Sequence, residues 1–402
     1  MGILSWKAKA AGIWLLIMGG ILFPALVRGQ EGFYATPSFS LTEIYDDNIF
    51  SAVSGRKGDF ITRLSPGILA GYESAPLTIL GEYTFDGELF AHRTDLNKAF
   101  ARQKAALDFR YLPVRLLTLA LKGEFIETVT PTQLNLIAGL PPGASPPPGT
   151  PPPRTGVALA RERARHFLVD PSVAYRFTPF ITGNVGYTFI EETVRGTTTD
   201  GHIGKLGAEY RHTRLDTGSL EYFVRTFLFN KKNESRFHTI LPGWTHDFTP
   251  QTSATLKAGP RFSERGGADV DVAAEVRHRM FRQGDAVLSY TRTTTAAIAS
   301  SGASTTDNVG LLFRYRPWEH VELTFSPNYY HTKLVSNTAN VYSVKFDASY
   351  DITRWLSAIA SYEHRFEKGI LPGFGTPARP SAEVVNNIFV LGLTTKFRTR
   401  VY

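Results

Sequence analysis

Two aspartates and an asparagine stand together in EIYDDNIF, residues 43–50, between aromatic and aliphatic neighbours. Asp46 and Asn48 occupy alternate positions, as hard-cation ligands do. No glycine follows to make the sharp turn of a calcium loop, and no bidentate glutamate stands at the required distance, so the stretch predicts no metal site. The ten histidines show no paired ligand spacing either. Neither a Gly-x-Ser-x-Gly nor a His-x-Ser-Asn-Gly segment occurs, which removes the motifs that would mark a serine or histidine hydrolase. His278 and His364 fall among apolar residues of alternating segments, where an interfacial role is expected and not that of a base. Cysteine is absent, excluding disulfides, thiolate metal sites, a cysteine nucleophile and the lipid-bearing N-terminal cysteine of an exported lipoprotein. The chain is therefore read as non-enzymatic, with no cofactor and no metal.

The elements that carry these residues are legible from periodicity. In QKAALDFRY, residues 103–111, Ala105, Leu107, Phe109 and Tyr111 oppose Lys104, Asp108 and Arg110. Period two means strand. The same alternation runs through LTILGEYTFDGEL (77–89) and YSVKFDASY (342–350), and helical periodicity is hard to find anywhere. A soluble sandwich also alternates, but its strands run to about five or six residues. These segments reach about ten, with aromatics at both ends of the apolar face, as a strand tilted through a bilayer requires.

The connections alternate too. Tight ones are expected at ESAP (73–76), LPVR (112–115), FTPF (177–180), HTRLDT (212–217), DFTPQ (247–251), FRQGD (281–285), RPWEH (316–320) and DITRW (351–355). Between them fall nine looser stretches, among them RGTTTDG (195–201), NKKNES (230–235) and the proline tract 140–156, an extended surface loop joining strands five and six. Eight turns interleaved with nine loops predict an all-β fold: a transmembrane, antiparallel, up-and-down barrel of about eighteen strands, with short periplasmic turns and external loops.

Residues 1–29 have a basic head, an apolar core and a small-residue cleavage pattern, so they are read as a secretory signal, with 30–402 forming the barrel. Loss of Lys7, Lys9 and Arg28 lowers the formal charge from +8 to +5, leaving 41 basic against 36 acidic residues. The first strand begins close to the cleavage site, which argues against a plug domain and hence against a large energised receptor. The expected location is the outer membrane, with its lipid and the barrel-assembly machinery as partners.

Inside such a barrel the inward register should be polar. Over the first half the expected inward charges balance: Arg63, Lys104, Arg110, Lys122, Arg176, Lys205, Arg211 and Arg225 stand against nine carboxylates. Over the second half a basic wall is expected from Lys257, Arg261, Arg277, Arg279, Arg314, Arg316, Lys345, Arg365, Lys396, Arg398 and Arg400. Many of these charges should pair across strands, and a surplus of Arg and Lys would favour anions. The basic isoelectric point then reflects an internal pattern, and nucleic acid is not an expected partner.

With strand one ending at EIYDDNIF, Tyr45 is expected as a belt aromatic and Asp46, Asp47 and Asn48 as turn-forming residues of the rim. The stretch Tyr45 to Ile49 resembles the Tyr-Asp-Asp-Asn signature near the start of the outer-membrane β-barrel family associated with exopolysaccharide export. That resemblance implies a conduit of a polysaccharide secretion system, with a periplasmic polysaccharide export protein as partner and an anionic polysaccharide as client. The alternatives are a general or anion-preferring uptake porin and a structural or adhesive barrel with a closed lumen. Two residues depart from the pattern. Glu43 falls on the apolar register of strand one, implying a bulge or a place above the hydrocarbon. Strict alternation also puts Val401, and not the terminal Tyr402, on the lipid side.

Overall fold

The computed structural model describes residues 32–129, 161–194, 196–231, 233–280, 283–296, 303–333, 338–369, 383–396 and 399–401. They form eighteen long strands: β1 (Gly32–Asp46), β2 (Asp59–Glu73), β3 (Leu77–Phe90), β4 (Lys98–Val114), β5 (Leu117–Thr128), β6 (Ala164–Arg176), β7 (Ile181–Val194), β8 (Thr197–Arg211), β9 (Asp216–Phe229), β10 (Asn233–Thr249), β11 (Thr252–Ser263), β12 (Ala268–Met280), β13 (Gly284–Ala296), β14 (Ala303–Trp318), β15 (Val321–Lys333), β16 (Thr338–Asp351), β17 (Leu356–Gly369) and β18 (Glu383–Lys396). A short continuation, β19 (Thr399–Val401), follows β18. Each strand pairs antiparallel with the next, and β18 returns to β1 from Ser38↔Lys396 to Asp46↔Ile388. The ring is closed, so no strand edge presents unpaired backbone groups to lipid.

Strand length explains where the expected loops shrink. The strands run from 12 to 17 residues, beyond the 9 to 11 or so that a tilted span needs. Part of each hairpin therefore stands clear of the hydrocarbon. Thr197–Gly201, expected in a loop, belongs to β8, because its β-branched threonines pair with β7 and β9. The loop expected at 230–235 contracts likewise, since β10 begins at Asn233. The eight turns keep their predicted order. The signal segment and the proline tract lie outside the described residues.

Alternation sorts the side chains. Leu391, Leu206, Val185 and Leu220 are exposed on the outer wall, between a turn-side girdle that includes Tyr111, Tyr210, Trp244, Tyr350 and Trp355 and a loop-side girdle that includes Tyr45, Tyr83, Tyr187 and Tyr342. On the loop side several tyrosine hydroxyls find partners one strand over: Tyr290 donates to Asp307 at 2.8 Å, Tyr329 to Asn340 at 2.8 Å and Tyr362 to Asn387 at 3.1 Å. The amphipathic ring thus lies against apolar surface while its hydroxyl is satisfied. Glu43 shows neither bulge nor shift. It keeps the outward register opposite Thr62, whose hydroxyl donates to it at 2.6 Å, close to the loop end of β1.

Candidate functional site

The lumen is the site, and its two ends differ. Toward the turns the inward charges are exposed, among them Arg110, Lys122, Arg176, Arg211, Arg279, Arg316 and Lys396 and the carboxylates Glu73, Asp108, Glu209 and Asp351. Toward the loops the inward residues are packed, with Ile44, Ile61, Phe90, His166 and Glu367 all buried.

Of the eleven residues expected as a basic wall, seven meet carboxylates among the described residues. Five of these, on the strands from β12 to β17, meet carboxylates in equal number. Arg277 reaches Glu275 at 3.2 Å, Arg314 lies 3.4 Å from Asp285 and 3.5 Å from Glu322, and Arg316 donates to Glu322 at 2.6 Å. Lys345 meets Asp347 at 2.7 Å and Arg365 meets Glu367 at 3.4 Å. Three of these pairs are i, i+2 neighbours on one strand, which face the same way because the side-chain period is two.

The other two that meet carboxylates are held differently. Lys257 belongs with Glu221 at 3.4 Å, and Arg261 with Asp271 at 2.5 Å and Asp269 at 2.6 Å. Both take part in a knot with residues assigned above to the balanced half of the barrel. Glu221 also holds Lys205 at 2.9 Å, and Asp271 also holds Arg225 at 2.5 Å, with Thr239 donating to the same carboxylate at 3.0 Å. Phe223 and Leu241 are fully buried in the packing beside them, and Arg225 lies over the Phe223 ring at 5.1 Å. Arg279 and Lys396 are exposed near the turn end. Arg398 lies outside the described residues, and Arg400 is placed only through its backbone pairing with Tyr34.

The YDDN stretch makes the expected turn over residues 47–50, with the Asn48 N–H donating to Asp46 Oδ1 at 2.9 Å and the Ser51 N–H to the Asn48 carbonyl at 2.8 Å, and it has a second role. Tyr45 does face outward, its ring 4.8 Å from Phe60. Asn48, however, is fully buried. Its amide donates to the carbonyls of Ala52 at 2.9 Å and Val385 at 3.0 Å, and its Oδ1 accepts from the Ala52 N–H. Asp47 accepts from the backbone and side-chain nitrogens of Asn387 at 2.7 and 2.6 Å, and its own N–H donates to the Asn387 carbonyl. Ile49 then packs with Ile44, Ile61 and Phe90, with Ile388 and Val390 of β18 against them. The motif clasps the first strand to the last at the loop end of the seam. No single-strand pattern could announce this, because the distant partners, Val385 and Asn387, lie on β18.

No family model matches the sequence, and no curated protein matches it. Solved structures with a similar course are outer-membrane barrels. The chain aligns over 92% of its length with 98% of OccK2 (OpdF) from Pseudomonas aeruginosa, at 8% identity and a TM-score of 0.47. It aligns over 92% with all of the anion-selective porin from Comamonas acidovorans, at 12% identity and a TM-score of 0.38. The siderophore receptor PirA from Pseudomonas aeruginosa shares 9% identity, with 92% of this chain and 81% of that one covered and a TM-score of 0.43. The eighteen-strand closed architecture rests on the chain's own pairing, which is complete without them.

Sequence reading finds the inward register but not the knot. Lys205, Glu221 and Arg225 were each legible as inward charges. That Glu221 and Asp271 would each collect two cations depends on register across several strands, which alternation within one strand does not encode.

Proposed function

We propose that the chain is an outer-membrane channel for small hydrophilic solutes, with anions favoured. The observation that carries this reading is a closed eighteen-strand ring, apolar outside, whose inward register is charged and solvent-exposed toward the turns. A barrel of that strand number has room for an aqueous path, which a polar inner wall suits. The mature chain is expected to begin at Gln30 and to fractionate with the outer membrane after insertion by the barrel-assembly machinery. Liposomes carrying the refolded barrel should swell in small neutral sugars and amino acids, more slowly as solute size rises. Liposomes that stay impermeable to all of them would leave the structural or adhesive reading in its place.

A second reading, the outer-membrane conduit of exopolysaccharide secretion, is favoured by the YDDN resemblance. It brings in a periplasmic polysaccharide export protein and an anionic polysaccharide as partners. Deleting the gene distinguishes the two: loss of a surface polysaccharide with normal solute uptake supports secretion, and normal polysaccharide with impaired uptake of small anions supports the porin.

A further inference from the structure

Cations and carboxylates meet in two patterns around the lumen. On the strands from β12 to β17 Arg277, Arg314, Arg316, Lys345 and Arg365 meet Glu275, Asp285, Glu322, Asp347 and Glu367, five against five. From β8 to β12 two carboxylates each hold two cations: Lys205 and Lys257 meet at Glu221, and Arg225 and Arg261 meet at Asp271. Arg261 also reaches Asp269, which Arg292 holds from the other side at 3.1 Å. The next inward carboxylates lie one step out: Glu209 pairs with Ser219, Glu275, held by Arg277, pairs with Thr255, and Asp170 accepts from Thr188.

The arrangement is built into the backbone. Lys257 is on β11 and Glu221 on β9, so the lysine stem must cross β10. It does so at Gly243, which pairs with Lys257 on one side and Ser219 on the other. A Cβ at Gly243 would lie 2.6 Å from Lys257 Cγ and 2.5 Å from Ser219 Oγ, so only glycine leaves the path open. From the other side Lys205 approaches diagonally, two residues from Gly207, the β8 partner of Glu221.

Burial then decides which charges a solute meets. The side chains of Glu221 and Asp271 are 3% exposed and that of Arg225 not at all, whereas Lys205 and Lys257 are 10% and 16% exposed. The carboxylates lie beneath and the ammonium groups above. Among the described residues, Arg225 Nε and Nη2 find no hydrogen-bond partner despite complete burial. A buried cation is screened less than one in bulk solvent, so its field reaches the lumen.

We propose that Lys205 and Lys257, braced on Glu221 and backed by Arg225 and Arg261, form a lumenal station that binds a compact oxyanion, the phosphate or carboxylate group of a solute. Lysine suits this as a compact charge with three donors that adapts to a group in passage. The inference rests on the channel reading, and binding is measured separately from conduction so that the two can fail independently.

Inorganic phosphate is the probe, titrated against the folded barrel in neutral detergent and followed by ³¹P line broadening. Saturable binding is expected, weakened at least tenfold in the Lys205→Gln/Lys257→Gln double variant and unchanged in Lys345→Gln, which removes a charge from the evenly matched wall. Gly243→Ala keeps every charge but obstructs the Lys257 stem, and should weaken binding in a barrel whose folding is verified by heat-modifiable mobility. Absence of saturable binding, or equal binding in the double variant and the wild type, overturns the station. A barrel that binds phosphate with this pattern yet passes no current in a planar bilayer supports the station and refutes the channel.

Discussion

The two sides of the lumen carry charge by different rules. On the strands from β12 to β17 the cations are matched evenly and several are well exposed, with the Arg277 and Lys345 side chains 31% and 35% accessible. From β8 to β12 the carboxylates are shared and nearly all the partners are buried. Exposed pairs gain little because solvent screens them and long side chains lose rotamer freedom. Buried ones sit where solvent no longer masks an imbalance. On the channel reading proposed above, position relative to solvent, and not the number of arginines, separates structural charge from selective charge.

The sharpest way to break this contrast is to remove a shared carboxylate. Asp271→Ala leaves Arg225 and Arg261 facing each other without their common acceptor, and should destabilise the barrel by about 3–5 kcal/mol. Asp347→Ala, on the evenly matched side, should cost less than about 1 kcal/mol. Urea unfolding of both variants in lipid vesicles compares them directly, and equal losses would mean that the walls do not differ.

Next in size is a test of the outer wall, against which both inner walls are defined. Phe346 faces lipid near the middle of β16, whereas its neighbour Lys345 faces inward. Phe346→Arg should cost roughly 2–4 kcal/mol near the bilayer midplane and reduce the yield of folded barrel, whereas Lys345→Gln should fold normally. Normal assembly of Phe346→Arg would show that the inward and outward registers of β16 are exchanged.

A smaller effect is expected at the seam. Asn48→Ala removes the fully buried amide that bonds the half-buried carbonyls of Ala52 and Val385, at a cost of about 1–3 kcal/mol. Hydrogen exchange should rise at the loop end of the β1–β18 pairing and not between β9 and β10; a uniform rise would deny the clasp a local role.

The smallest change expected is in selectivity from the evenly matched side. Replacing Arg277, Arg314 and Lys345 together with glutamine should move the reversal potential in a salt gradient less than Lys205→Gln/Lys257→Gln does. The gap should widen at low salt, where the screening length grows to about 30 Å from about 8 Å. A larger shift in the triple variant would return selectivity to the evenly matched wall.

Much of the fold was readable because a membrane barrel repeats one simple instruction. Alternation in 103–111 and 342–350 gives both a strand and its inward face, and the turn residues at 177–180 and 352–355 give the hairpin order. Loop ends were less readable: the threonines at 197–199 have the polarity of a loop and the branching of a strand, and pairing with their neighbours decided for strand. The candidate site was readable only as separate charges. Lys257 meets Glu221 because Gly243 lets it cross an intervening strand, and Asn48 becomes buried because β18 arrives beside it. Both facts belong to pairings between distant segments and not to any local period.

The clasp also bears on how the barrel comes together in time. Asp47 and Asn387 are 340 positions apart along the chain. Joining the ends of a free chain that long would cost roughly 5 kcal/mol from the length dependence of loop closure alone. Growth hairpin by hairpin avoids that search, because each new strand needs only its predecessor and the final step becomes the curling of an almost finished sheet. The bonds of Asp47 and Asn48 to β18 and its leading edge can form only then, so they report completion: whatever happens earlier, a chain in which they have formed has its first and last strands in register.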